Sequence, residues 1–442
     1  MWYNLEVDKR KEKPMSVSQS IATTKPALLA AKEEKRLGIH SFHRYYGKLI
    51  PAIPRAYIRL FSKENDLICD MFAGSGTTAV EAANLNRDFL GVEINPLCES
   101  IVRAKLGNYD VSVLDKIANN LKVLVENDRS EVKECEIPFV INRDHWFKEF
   151  VQKQLVVIER NFEKALTELK IKSRDYDIYQ NFLAVTLSAI VKQVSNADTM
   201  HVFPGRSKRM RRLEAEGKIS IDVNKTFFNA LCKRIKYIKE FGAHNNSNKI
   251  LLADSSSVDL SAYKGKVRLV VTNPPYISSV RYAETLKLEL YWTQRVKNSE
   301  EYTKLSTSMI GNDRIEKSKV DDITYLGIDS VDKIIDTLSA IDKKQAKVVS
   351  DYFTLMEKVI KNMQLVLQAN GKVVMKIADS KIRKVTVKTG YLLADIANKH
   401  GFETVEIFND KINSNSRSLL TARNTYSDII LEDNIVIWKK KS

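Results

Sequence analysis

Apolar and polar positions divide the chain into stretches of different character. Between 67 and 105, short solid apolar runs alternate with helical periods. Leu67-Ile68-Cys69-Asp70 and Phe89-Leu90-Gly91-Val92-Glu93 read as buried strands, and 77–85 and 96–105 as helices. Such alternation predicts a parallel sheet covered by helices on both faces. From about 108 to 246 the strand signal fades, glycines become few, and helical periods recur over 151–169, 178–194 and 225–241. The strand–helix pattern resumes at 249–254 and 267–272. It continues through a helix at 283–293, a polar stretch at 298–345, a long helix at 349–368, a strand at 372–378 and a helix at 391–400. Strands at 402–408 and 425–438, joined by a long loop, bring the total to seven. No internal repeat or low-complexity tract interrupts this order.

The organisation that follows has four parts. Residues 1–38 form a polar, loosely held N-terminal arm with a helix near 27–35. Residues 39–105 and 247–442 form one α/β domain, which opens on a dense aromatic and proline segment from His40 to Pro54. Residues 106–246 are a mostly helical insertion, and 298–345 a second, polar insertion.

Composition narrows the class. The chain has 442 residues, 44% of them hydrophobic and 29% charged, which fits a soluble globular protein with a normal core. The net charge of +16 favours a polyanionic partner, because cations that displace counterions from phosphates gain affinity. The competing explanation is a lysine-rich proteome with no nucleic-acid role. Cys69, Cys98, Cys135 and Cys232 are widely spaced, so neither a zinc site nor a disulfide framework is indicated, and no metal is expected. The charged stretch Met1 to Pro14 has no apolar centre, so no secretory leader is expected. The longest mainly apolar run, 182–191, stops at Lys192 and is too short to span a bilayer.

Asp70-Met71-Phe72-Ala73-Gly74-Ser75-Gly76-Thr77-Thr78 lies where a strand gives way to a helix. Gly74 and Gly76 let a ligand approach the backbone closely, since glycine has no Cβ. A phosphate-binding P-loop is excluded, because Gly76 is followed by Thr77-Thr78 rather than by lysine. Gly74-x-Gly76-x-x-Ala79 also satisfies the loose dinucleotide fingerprint, with Glu93 suitably placed for a ribose hydroxyl. Asp70 weighs against a dinucleotide, whose pyrophosphate would be repelled, and suits the ammonium of an amino-acid moiety. From strand order, Glu93 is placed to accept both ribose hydroxyls and Asp254 to accept from an adenine amino group. A helix N-cap explains a strand-end acid such as Asp254 equally well.

Asn273-Pro274-Pro275-Tyr276 ends the apolar strand 267–271. An exocyclic amino group is a poor nucleophile because its lone pair is delocalised into the ring. Two acceptors, the Asn273 side-chain oxygen and the Pro274 carbonyl, can draw its protons out of the ring plane. The prolines, Pro275 included, stiffen the loop, and Tyr276 offers a flat face for stacking a base. The same tetrapeptide occurs in enzymes that methylate guanine amino groups of RNA or glutamine side chains of proteins.

The Gly-rich turn and this tetrapeptide together resemble the bacterial S-adenosylmethionine-dependent amino-DNA methyltransferases acting on adenine N6 or cytosine N4. Further resemblance lies in 89–96, 282–292, 370–380 and 423–431. The resemblance implies a Rossmann-like seven-stranded methyltransferase sheet, with 39–105 and 247–442 as the catalytic domain. It implies S-adenosylmethionine as cofactor, with Phe72 and Thr77 joining Asp70, Gly74, Gly76, Glu93 and Asp254 around it. His43-Arg44-Tyr45-Tyr46-Gly47-Lys48 resembles the segment that closes over the methionine end, which adds Tyr45 and Lys48. Relatives with this layout often carry Ser-Pro-Pro-Tyr and methylate cytosine N4; Asn273 is commoner among adenine N6 enzymes and favours adenine.

The implied partner is double-stranded DNA, from which the target base must be flipped. The implied setting is a modification system, with a cognate restriction endonuclease or defence-system subunits, in the cytoplasm near the nucleoid, as a monomer or dimer. Alternatives from other classes are an RNA or protein amino-methyltransferase and a catalytically silent DNA-binding protein. The densest basic run, with Arg206, Lys208, Arg209, Arg211 and Arg212, lies in the helical insertion. It is expected to bind phosphates or read guanine edges, which makes 106–246 the expected target-recognition region. A solvated helix face is the plainer reading of that run. Arg314 and Arg417 are secondary candidates.

Overall fold

A computed structural model describes residues 17–277, 281–411 and 432–442. The strands are β1 (Leu67–Asp70), β2 (Asp88–Glu93), β3 (Asn248–Leu252), β4 (Val267–Thr272), β5 (Leu367–Ala378), β6 (Ser380–Ile382), β7 (Val385–Val387), β8 (Phe402–Lys411) and β9 (Glu432–Lys440). Seven of them form one sheet in the order β3-β2-β1-β4-β5-β9-β8, and β6 and β7 form a small hairpin. The strands from β3 to β5 run parallel, and β9 lies antiparallel between β5 and β8. The expected Rossmann-like α/β sheet of seven strands is therefore present, with β9 reversed.

The strand order turns back between β1 and β4. In an open α/β sheet, the crevice beyond the carboxyl ends of the strands at such a point is where ligands bind. Asp70 ends β1 and Asn273 directly follows β4, so the fold brings the two motifs to one place. The sheet is buried on both faces. One apolar cluster joins the helix after the Gly-rich turn, Thr77–Asn84, to the helices of the 106–246 region through Val80, Ile101, Leu155 and Phe182. The other packs the long helix Lys343–Val366 against the opposite face through Val349, Phe353 and Met356.

Most elements lie where periodicity puts them, and the differences have local causes. The helix expected over 283–293 is two short ones, Tyr282–Thr285 and Lys287–Trp292, because the backbone opens at Leu286. A helix at Val111–Asn127, not among the periods read from sequence, buries Leu114, Ile117, Leu121 and Val125 and is capped by Asp110. The polar stretch 298–345 holds helices Ser299–Ser308 and Asp329–Ser339. In the arm, helix Val17–Glu33 buries Leu28 and Ala31. Of the expected strand 425–438, the portion before 432 lies outside the described residues, as do Arg417 and 423–431. Among the described residues no helix is long and apolar enough to cross a membrane.

Candidate active site

A cleft, open at its mouth, lies beyond the ends of β1, β2 and β4. Its walls include Tyr45, Lys48, Asp70, Phe72, Gly74, Thr77, Glu93 and Asp254, together with Asn273 and Pro275. Sequence motifs far apart in the chain thus share one cavity.

The acids are held by their neighbours. Asp70, 3% exposed, accepts hydrogen bonds from Thr272 Oγ1 at 2.6 Å and from the Phe72 amide at 3.0 Å. Burial raises its carboxyl above the usual carboxylate range, against the pull of those donors. Glu93 accepts from the Gly74 amide at 2.6 Å and the Asn95 amide at 2.8 Å. Burial pushes its carboxyl up to about 7, with the amides opposing. Each oxygen keeps a second lone pair for a ligand. Asp254 accepts from the Ser256 amide at 2.8 Å and the Ser256 hydroxyl at 2.9 Å through one oxygen, an Asx turn that opens the loop after β3.

Two expected cofactor residues turn out to have structural duties. Lys48 lines the cleft, but its ammonium donates to the carbonyls of His40 at 2.9 Å and His43 at 2.6 Å, and burial lowers it to about 8. Gly76 is not part of the wall. It holds φ +77° at the start of helix Thr77–Asn84, and a Cβ there would meet Val102 Cγ2 at 2.8 Å. Its lack of a side chain makes room for helix Pro96–Leu106, whereas at Gly74 (φ +50°) a Cβ would lie 3.3 Å from the Tyr45 ring.

On the other wall, the Asn273 amide nitrogen donates to the Gly47 carbonyl at 3.2 Å. The Tyr276 hydroxyl is 3.4 Å from Asn273 Oδ1 and 3.2 Å from Asp433 Oδ1, and Asp433 also pairs with Lys376. The Pro275 carbonyl accepts from Tyr352 at 3.1 Å. Pro274 and Tyr276 adjoin the wall residues Asn273 and Pro275 without lining the cavity themselves.

Several wall residues escaped the sequence reading. Asn95 spends its side-chain oxygen capping helix Pro96–Leu106, and its buried amide nitrogen has no partner among the described residues. The Ser75 hydroxyl is buried and unpartnered as well. Both line the cleft. Lys105, fully buried and held well below its ordinary range by that burial, donates to the Ser75 carbonyl from beneath the turn. An Asn directly before Pro96 was the available sequence signal, since Asn-Pro announces a helix start. Tyr282, Met309 and Ile310 close the far side.

The basic run is outside this cleft and partly neutralised. Ser207 caps helix Lys208–Ala215. Arg206 pairs with Glu214 and Arg209 with Asp198, while Arg212 lies 3.8 Å from Glu216. Arg206 and Arg209 therefore also brace the loop's own structure. Lys208 and Arg211 are exposed to solvent.

Comparison with known proteins finds similar sequences. The N6/N4 DNA methylase family model matches residues 22–103. The Type II methyltransferase M.MvaI of Kocuria varians is 23% identical over 398 residues, 84% of this chain and 84% of that protein. The Type II methyltransferase M.MjaII of Methanocaldococcus jannaschii is 34% identical over 89 residues, 20% of this chain and 17% of that protein. Among solved structures, the rRNA methyltransferase aviRa of Streptomyces viridochromogenes overlays on 94% of this chain and 92% of its own, at 9% identity and a TM-score of 0.31. That score is too low to establish a shared arrangement.

Proposed function

The chain belongs to the amino-DNA methyltransferase family, and from that premise we propose that it methylates adenine N6 in double-stranded DNA at a specific site, as the modification enzyme of a restriction or defence system. The observation that carries this reading is the meeting of the Gly-rich turn and Asn273 in one cleft, with the Asn273 amide orientation set by the Gly47 carbonyl.

The cleft suits S-adenosylmethionine. It offers unpartnered polar atoms on Ser75 and Asn95, acceptor capacity on Asp70 and Glu93, and a turn at Gly74 where added bulk meets Tyr45. Asp70 would hold the ammonium, Glu93 the ribose hydroxyls, and Asp254 with Asn95 the adenine edge. When bound, the cofactor supplies an already activated methyl group. The protein's task is then orientation. Asn273 Oδ1 and the Pro274 carbonyl accept hydrogen bonds from the two N–H groups of the target amine and draw its nitrogen towards a tetrahedral shape. Tyr276 stacks on the flipped base, and its hydroxyl steadies Asn273.

Asn273 favours adenine; the motif layout, shared with relatives that carry Ser-Pro-Pro-Tyr, favours cytosine N4 as the second reading. Incubation of unmethylated DNA, and separately RNA, with the protein and S-adenosylmethionine, followed by mass spectrometry of nucleosides, decides between them. N6-methyladenine in DNA is the expected product. N4-methylcytosine would keep the mechanism and overturn the base, and methylated RNA without methylated DNA would overturn the substrate.

A further inference from the structure

Met200 is the most exposed large apolar side chain among the described residues, at 76%. A solitary exposed methionine on a loose loop would need no explanation. Met200 instead tips a turn that is fastened from several sides. Asp198, itself 1% exposed, accepts from the Met200 amide at 2.9 Å and pairs with Arg209 and the Ser207 hydroxyl. The carbonyl of His201, the next residue, accepts from Lys192 at 2.9 Å, Tyr46 at 3.0 Å and Arg44 at 3.2 Å. The Arg44 guanidinium lies over the Tyr46 ring, 4.8 Å from its centre.

These bonds tie the turn to the cleft rim, because Tyr46 lies between Tyr45 and Gly47, both in the cleft wall. The tie continues beneath. Lys192 and Arg44 face Glu289, a 3% exposed carboxylate on helix Lys287–Trp292, the second helix after the Asn273 loop. Exposed cations are tied to the same turn: Arg44 bonds the His201 carbonyl, and Lys208 and Arg211 lie on the helix capped by Ser207, whose hydroxyl bonds Asp198. An apolar tip among cations, on a turn fastened to the cleft rim, matches the wedge-and-phosphate pattern by which proteins unstack a duplex.

We propose that Met200 is the wedge that enters the base stack as the target nucleotide leaves it, with Arg44, Lys208 and Arg211 gripping the flanking phosphates. This rests on the DNA-methyltransferase reading. Methionine suits the task, being unbranched, polarizable and tolerant of irregular gaps.

The test uses the full-length protein and a duplex carrying the site located by sequencing the methylated product. The same duplex is prepared with a mismatch opposite the target base, which lowers the cost of extrusion. Met200→Ala is expected to lower kcat/KM on the matched duplex by about tenfold and to recover most of that loss on the mismatched one. Met200→Leu should stay near wild type, and S-adenosylmethionine affinity should be unchanged in both. Equal activity of Met200→Ala and wild type on the matched duplex overturns the proposal. So does an equal loss on both duplexes, which would mark a structural role. A wild-type protein that methylates no DNA overturns the parent reading instead, and the wedge with it.

Discussion

Asn273 donates its side-chain N–H to the Gly47 carbonyl at 3.2 Å. That bond joins the loop after β4 to the Tyr45–Lys48 segment and orients the amide so that its oxygen stays available as an acceptor. Lys48 reinforces the segment by donating to the His40 and His43 carbonyls. The wall that carries the Asn273 acceptor is thereby built before any ligand arrives, and preorganisation of this kind is what orientation-driven catalysis needs.

The two glycines of the turn should separate cleanly. Gly76→Ala forces a Cβ into left-handed backbone and against Val102, so thermal unfolding should report a loss of about 2 kcal/mol or more, with cofactor affinity retained in the folded fraction. Gly74→Ala presses on Tyr45 at the cleft wall and should weaken S-adenosylmethionine binding measured by calorimetry. The opposite pattern would mean that Gly76, not Gly74, bounds the ligand.

Glu93 gives a pH signature. Burial lifts its carboxyl to about 7, so the free protein loses the stability contributed by the neutral form as pH rises through that value. Ribose hydroxyls donate to the ionised carboxylate, so binding expels the proton. Cofactor affinity should therefore rise between about pH 6 and 8 and then level off. Glu93→Gln should bind more weakly and show a flat profile in calorimetry over that interval. A flat wild-type profile would remove Glu93 from the cofactor contacts.

Tyr276 and Asp433 should act on different quantities. Tyr276→Phe keeps the ring and removes the hydroxyl near Asn273, which should slow transfer by several-fold, about 1 kcal/mol, with little change in Tm. Asp433→Ala strands the nearly buried Lys376 and should cost about 3–5 kcal/mol of stability in denaturant titrations. An unaltered transfer rate in Tyr276→Phe would leave the ring as the residue's whole contribution.

The basic run should divide by its ion pairs. Lys208→Ala and Arg211→Ala are expected to weaken DNA binding across sequences, each reducing the slope against log salt by about 1 in fluorescence anisotropy. Arg209→Ala frees Asp198 and should instead lower Tm. Salt slopes unchanged in the first two variants would place the phosphate contacts elsewhere.

The parts of this protein that sequence makes legible are those set by local constraint. Asp70 to Thr78 and Asn273 to Tyr276 sit at strand ends, where glycine and proline fix the turns whatever the rest of the chain does. The helix-covered parallel sheet follows from alternating buried runs and helices, but the order of its strands does not. What stays hidden depends on partners supplied by the finished fold. Gly76 reads as a ligand-facing glycine until helix Pro96–Leu106 places Val102 against it. That Arg206 and Arg209 also brace their own loop shows only once the loop brings Glu214 and Asp198 to them. Asn95 shows its cap in the sequence, but its spare amide nitrogen becomes visible only once the cleft has formed around it.

The most direct test of the account is single-turnover methyl transfer by Asn273→Ala, measured beside its calorimetric affinity for S-adenosylmethionine. Loss of one preorganised acceptor predicts a rate lower by about 10²–10³-fold, or about 3–4 kcal/mol, with cofactor affinity near wild type. Transfer at the wild-type rate, with the cofactor still bound, would contradict the role given to Asn273 and with it the assignment of this cleft as the site of methylation.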